Sequence, residues 1–334
     1  VSEFSPPRVP LVLRPTPLHR LNRAAEDLGL DLWIKRDDLS GFAGGGNKGR
    51  KLEYLLGQAL AEGAEVLVTY GAAQSNFVRQ LGAACSVCGL SAAAAVMDLP
   101  YNTPADRPDV PALDGSTGNI LLDRILGVDV RRYPDATWDD LEARAEDLAA
   151  EYERKGRKVM RVPVGGSSPL GAFAFRAAAQ EIVQQAEPFD WIVFASSSGS
   201  THTGLAFGLA GTRTKVMGIG CDPEPDLVDD FVQLAAKLAE LIGGDRTLSA
   251  EEFLFTTEFV GPGYGVPSPE GLEEIRYLAR REGILLDPVY TSKAFAGLRA
   301  LAARGEVQGR VLFWHTGGVP ALFAVPESYG LGNP

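Results

Sequence analysis

The sequence predicts an α/β protein made of two open, mostly parallel sheets with helices on both faces. Short strand-like apolar runs alternate with helix-periodic segments along nearly the whole chain, which demands parallel pairing through helical crossovers. The 334 residues are long for one core, so two domains are expected. The crossovers also vary widely in length, with a long polar loop in each half. That disfavours a single eight-fold barrel, although the length would fit one.

Residues 1–17 are proline-rich and extended, and Thr16-Pro17 reads as the cap and first turn of a helix to about Leu28. Leu32 to Arg36 reads as a strand. A glycine loop follows, and then a helix on which Leu52, Leu55, Leu56, Ala59 and Leu60 recur at helical spacing. Strands are expected over 65–70 and 91–97, with a helix between them ending near Gly89. A loop of aspartates and prolines (98–114) leads to a helix around 118–126 and a strand over 128–132. The next helix is opened by Thr137 with Asp140 three residues on, and carries the stripe Leu141, Ala145, Leu148 and Tyr152. A strand over 158–163 closes the first half. The second half repeats the rhythm: helix 169–185, strand 191–195, helix 201–211, strand 216–220 and helix 224–242. Residues 244–267 read as irregular, followed by helices near 268–282 and 291–304 and a strand over 310–314.

Composition excludes several classes. With 32 basic and 43 acidic residues the net charge is −11, which leaves no basic field for nucleic acid or an anionic membrane. No apolar run approaches the ~18 residues of a membrane helix. The opening residues lack a signal-peptide pattern, and three cysteines make no disulfide framework, so a cytoplasmic protein is expected. Cys85 and Cys88 spell C-x-x-C, but on a helix with Val78 and Leu81 they read as small buried residues. No clustered ligand set accompanies them, and no metal is expected.

The chemistry is expected at the carboxyl ends of the strands. Gly41-Phe42-Ala43-Gly44-Gly45-Gly46-Asn47-Lys48 places a lysine at a helix start, beside Arg50 and Lys51. A solvated basic turn is one reading. A nucleophilic amine is the other, its pKa lowered by desolvation, by the neighbouring cations and by the helix N-terminus. No Gly-Lys-Ser/Thr follows, so a Walker A loop is excluded. Gly71 to Asn76, Ser196 to Thr201 and His315 to Gly318 follow three further strands. The middle one is either an anion cradle of hydroxyls and main-chain N–H groups or a capped serine turn. No G-x-S-x-G elbow exists, and His19, His202 and His315 are expected in buried or capping positions.

Lys35-Arg36-Asp37-Asp38-Leu39, Gly45-Gly46-Asn47-Lys48, Gln74-Ser75-Asn76 with Arg79-Gln80, the loop at 196–203, Asp287-Pro288-Val289-Tyr290 and His315-Thr316-Gly317-Gly318 together resemble one family. It is that of D-cysteine desulfhydrase and 1-aminocyclopropane-1-carboxylate deaminase. The resemblance covers residues 14–324 and implies a fold-type II pyridoxal-phosphate enzyme, similar to the tryptophan synthase β subunit. Its larger cofactor domain would be residues 1–50 and 162–334, its smaller one 51–161, with the active site in the cleft between them.

By the same resemblance, Lys48 is the Schiff-base lysine, and Asn76 holds the cofactor's phenolic oxygen. Ser197, Ser198, Gly199, Ser200 and Thr201 hold its phosphate, and Thr316 meets the pyridine nitrogen. Ser75, Tyr264 and Tyr290 are expected around the reacting carbons, and Gln74, Ser75, Asn76 and Thr291 against the substrate. Phe77 stands where relatives often carry a polar side chain. Thr291 and His315-Thr316 look desulfhydrase-like, where deaminases typically carry glutamate after the tyrosine. The resemblance thus implies β-elimination of D-cysteine by a homodimer. The alternatives are the cyclopropane deaminase, a lyase of cysteate or chloroalanine, and a cofactor carrier without turnover.

Overall fold

The computed structural model describes residues 4–109, 111–224 and 226–332. In chain order the strands are β1 (Leu18–Arg20), β2 (Asp31–Arg36), β3 (Val66–Ala72), β4 (Ser91–Met97), β5 (Asp129–Arg132), β6 (Val159–Arg161), β7 (Trp191–Ser196), β8 (Lys215–Gly220), β9 (Leu254–Thr256) and β10 (Arg310–His315). They form a six-stranded sheet, β1-β2-β10-β7-β8-β9, and a four-stranded sheet, β5-β4-β3-β6. Every pairing is parallel except that of β1 with β2.

The helices are α1 (Asn22–Leu28), α2 (Lys48–Glu62), α3 (Asn76–Cys88), α4 (Gly118–Ile125), α5 (Trp138–Arg154), α6 (Pro169–Gln185), α7 (Ser200–Leu209), α8 (Leu227–Leu241), α9 (Pro269–Glu282) and α10 (Thr291–Ala303). The large sheet is covered on one face by α9 and α10, whose Ile275, Leu278, Phe295 and Leu298 pack on Val193, Val311 and Phe313. On the other face, Phe175 and Leu205 of α6 and α7 pack on Ile192, Phe194 and Trp314. The small sheet is sandwiched between α2 and α3 on one side and α5 on the other. The Thr137–Asp140 capping box opens α5 as expected.

Two elements differ from the sequence reading. Residues 18–20 are a strand rather than a helix, because Thr16 is no cap: its hydroxyl donates to Asp37 (2.9 Å) and accepts from Arg50 (2.9 Å). Residues 254–256 form β9, an edge strand on β8, inside the stretch expected to be irregular. His202 is buried among Phe194, Phe231 and Phe253, and His315 is buried too, but His19 is exposed. Cys85 is buried and Cys88 half-buried on α3, both as free thiols.

Beneath the large sheet lies a buried ionic cluster. Arg50 pairs with Asp37 (2.8 Å) and Glu181 (2.9 Å), Lys35 pairs with Glu181 (2.5 Å), and the Trp314 indole donates to Asp37 (2.9 Å). Burial alone would raise the Glu181 carboxyl, but Arg50 and Lys35 hold it down at about 2. The cluster ties the first turn of α2 to β2, β10 and α6.

Candidate active site

A cavity of about 340 Å³ opens where loops of the two sheets meet, within the ~300–1,000 Å³ of small-molecule sites. It is built at strand carboxyl ends: Ser75 and Asn76 after β3, Ser197, Ser198, Gly199 and Thr201 after β7, Asp222 after β8 and Thr316 after β10.

Lys48 is the first residue of α2 and lines the cavity. The glycine loop before it is required by space. A Cβ on Gly45 would lie 1.8 Å from the Asp38 carbonyl oxygen, and Gly46, at φ +120°, would meet Gln80 at 2.7 Å. Asn47 anchors the lysine's backbone through its N–H to the Thr316 carbonyl (2.9 Å) and its amide to the Thr201 hydroxyl (3.2 Å). Burial lowers the Lys48 amine to about 8. The expected contribution of neighbouring cations is corrected here. Arg50 is neutralised by Asp37 and Glu181, and the Lys51 amine is itself pushed far down, first by burial and then by Lys48. Lys51 donates to the Gly165 carbonyl (3.1 Å) instead of serving as a free charge.

Ser75 caps α3, its Oγ accepting from Phe77 N (3.2 Å) and Val78 N (3.3 Å), so its own proton is left to donate into the cavity. Phe77 also lines the wall, and a Cβ on Gly166 would lie 2.6 Å from its ring. Tyr264 and Tyr290 share a 2.5 Å hydroxyl–hydroxyl bond at the cavity, with Trp138 edge-on to Tyr264. Burial raises both phenols, so they stay protonated at neutral pH.

Gly199, at φ +98°, starts α7 with its main chain toward the cavity, and Ser197, Ser198 and Thr201 stand beside it. Ser197 donates to Asp222 (2.8 Å), and Thr201 accepts from Asn47, which leaves its proton free. A Cβ on Gly165 would clash with Ser198 Oγ at 2.6 Å and reach van der Waals contact with Lys48 Nζ at 3.9 Å, so this glycine keeps the space beside the cradle open.

The structure does not bring three expected residues into the cavity. The Ser200 hydroxyl is buried against α6 beside Gly171, and its main-chain N–H donates to Ser167 Oγ (3.2 Å). Gln74 is turned away, donating to the Asp114 (2.7 Å) and Thr117 (3.0 Å) carbonyls and accepting from Asn119 N (2.8 Å). Thr291 is buried with its hydroxyl bonded to Asp287, so it sits behind Tyr290 and touches no substrate space.

The sequence reading missed the mouth, where Asp139, Glu142, Glu224 and Asp230 line the opening with Trp138. Among the described lining residues Lys48 is the one lysine or arginine. Asp222 was findable, because it follows a strand's carboxyl end as the other loops do. The α5 residues were not, because nothing local places a helix N-terminus opposite a loop 60 residues earlier.

A buried amine of lowered pKa, a neutral anion cradle at a helix start and a neutral hydroxyl after β10 fit pyridoxal phosphate. Lys48 would bond its aldehyde carbon, Ser198, Gly199 and Thr201 its phosphate, Asn76 its ring oxygen and Thr316 its ring nitrogen. Fold and site thus define an α/β enzyme of the pyridoxal-phosphate class. Residues 9–317 match the family of pyridoxal-phosphate dependent enzymes, and the chain belongs to it.

Within that family it is similar to a crystal structure described as an ACC deaminase homologue, at 38% identity and a TM-score of 0.86, over 98% of this chain and 95% of that one. Threonine deaminase isoform 2 from Solanum lycopersicum shares the fold at 17% identity and TM-score 0.63, covering 96% of this chain and 83% of that one. O-ureido-L-serine synthase does so at 18% and 0.64, covering 92% and 90%.

Proposed function

We propose that this chain catalyses β-elimination of D-cysteine, converting it with water to pyruvate, ammonia and hydrogen sulfide. The observation that carries the reading is the protonated Tyr264–Tyr290 pair, 2.5 Å between hydroxyls, facing the cavity that holds Lys48. Bound pyridoxal phosphate supplies the electron withdrawal that acidifies the substrate's α-carbon. Lys48 Nζ takes the α-proton as general base. The tyrosine nearer the β-substituent donates its proton to the departing hydrosulfide, its partner hydroxyl replaces that proton along the shared bond, and the proton taken up by Lys48 restores the pair. Ser75 donates to the substrate carboxylate at the N-terminus of α3, where the helix dipole favours an anion. The enamine that leaves takes up water to give pyruvate and ammonia.

The acidic mouth supports a neutral β-substituent. A thiol or chloro group passes Asp139, Glu142 and Asp230 without repulsion, whereas the sulfonate of cysteate does not. Burial pushes Glu224 up to about 7, so it adds only a partial charge at neutral pH. A cytoplasmic homodimer belongs to the proposal through the family resemblance. Among the described residues no helix is long and apolar enough to cross a membrane.

The similarity to a protein described as an ACC deaminase homologue favours a second reading, deamination of 1-aminocyclopropane-1-carboxylate. Against it stands the resemblance alone: Thr291 occupies the position where the deaminases typically carry glutamate after the tyrosine. The test measures pyruvate, sulfide and 2-oxobutyrate from D-cysteine, L-cysteine, D-cysteate, chloroalanine and the cyclopropane substrate. Sulfide and pyruvate from D-cysteine are expected. Efficient 2-oxobutyrate formation with D-cysteine inert would overturn the proposal in favour of the second reading.

A further inference from the structure

Behind Asn76 lies a polar network that the proposed chemistry does not use. Arg79 Nη1 donates to Asn76 Oδ1 (3.2 Å) and to Asn119 Oδ1 (2.6 Å), and Asn119 Nδ2 donates to Asn76 Oδ1 (3.1 Å) and to the Gln74 carbonyl (2.8 Å). Asn76, Arg79 and Asn119 are each at least nine-tenths buried. The donor and acceptor inventory then leaves no freedom. A guanidinium only donates, so the Asn76 atom that faces it must be oxygen. A peptide carbonyl only accepts, so the Asn119 atom at Gln74 must be nitrogen, and its oxygen must be the atom facing Arg79.

We infer that Arg79 and Asn119 are positioning residues that lock the Asn76 amide with its nitrogen toward the cavity, making it an obligate donor to the cofactor's ring oxygen. Two further observations agree. Arg79 Nη2 and Gln80 Nε2 both donate to the Gly45 carbonyl (2.9 Å each), so the same guanidinium also holds the loop that presents Lys48. Gln74, expected against substrate, instead holds Asn119 from the far side through its Oε1 and main chain. Burial lowers the Arg79 guanidinium only to about 10, which leaves it charged at neutral pH.

The consequence is spectroscopic. Donation by a neutral amide favours the ionised form of the oxygen it meets. Loosening the amide should therefore raise the pH at which the bound cofactor's visible band titrates. The inference rests on pyridoxal phosphate as the cofactor, and a parent protein that develops no visible band with it would refute that reading separately.

The test uses the cofactor-loaded protein with Asn119→Asp, near-isosteric but unable to donate to Asn76, and Arg79→Lys, which keeps the charge but not the fork. Both should raise the titration midpoint by about half to one unit and weaken cofactor binding several-fold. One unit corresponds to ~1.4 kcal/mol between protonation states. In an Asn76→Ala background the Asn119→Asp change should add no further shift, because it acts through that amide. A merely structural role would lower the melting temperature and leave the midpoint alone. Such a result in either variant would overturn the inference, as would a full additional shift in the Asn76→Ala background.

Discussion

The Thr291 hydroxyl accepts from the Asp287 N–H (2.8 Å) and donates to the Asp287 carboxylate (2.6 Å). The same carboxylate accepts from the N–H groups of Val289, Tyr290 and Thr291. Tyr290 is therefore held at the cavity by a buried ring of bonds in which Thr291 is one link. Thr291→Val keeps the shape and leaves the Asp287 N–H without its partner, at a cost of ~1–3 kcal/mol. Melting temperature and kcat should both fall, while Thr291→Ser stays near the parent. A valine variant with parental melting and turnover would show that the ring does not hold the tyrosine. Thr291→Glu should fail mainly through instability, because its carboxylate meets Asp287 before it meets any substrate.

Lys48 sets a kinetic pH profile. Its folded pKa of about 8 lies below the ordinary lysine value, so the free amine predominates only above that pH. Uptake of pyridoxal phosphate by cofactor-free protein should accelerate with pH and level off just above 8, rather than climbing toward ~10.4. Borohydride should then fix the cofactor on Lys48. A label on Lys51 would reassign the nucleophile.

Thr201 uses its oxygen to hold Asn47 and keeps its proton for the anion. A charge-assisted hydrogen bond of ~1.5–3 kcal/mol is lost in Thr201→Val. Cofactor affinity should drop about tenfold or more, at 1.4 kcal/mol per decade. Equilibrium titration with the cofactor reads this directly, and unchanged affinity would place the phosphate elsewhere.

The mouth should sort substrates by charge. The specificity constant for D-cysteate should fall at least tenfold below that for D-cysteine, and rising salt should narrow the gap as the rim carboxylates are screened. Equal rates at low salt would remove the rim from the account of specificity.

Glu181 links acid stability to the ionic cluster. Its folded pKa, about 2, lies below an unfolded value of ~4.3, so its contribution is complete above that value and is lost as pH falls toward 2. Glu181→Gln should be less stable than the parent at neutral pH and should show a shallower fall in stability across that window. Denaturant unfolding at each pH measures both.

The parallel architecture was legible because apolar runs and helical periods alternate along nearly the whole chain, and Lys48, Ser75, Asn76 and Thr316 follow from the rule that loops after strands carry the site. What stayed hidden were short elements and side chains whose hydrogen-bond partners, near or far in sequence, only the folded chain reveals. Thr16 mimics a helix cap but bonds Asp37 and Arg50. The three residues of β9 are too few to show alternation. Gln74 and Thr291 sit beside cavity residues in sequence, yet their hydrogen bonds turn them away from it.

The ionic cluster under α2 also bears on how this sequence can diverge. Removing one member of a buried ion group strands an opposite charge and costs ~3–5 kcal/mol, whereas replacing the whole group by apolar side chains is often neutral. Lys35, Asp37 and Arg50 lie in one stretch of the chain and Glu181 far beyond it, so no single nucleotide change can exchange them together. Each one-step path crosses a poorly folding intermediate. The cluster thereby acts as an evolutionary latch, keeping the turn that carries Lys48 in place while the loops around the cavity are free to explore new substrates.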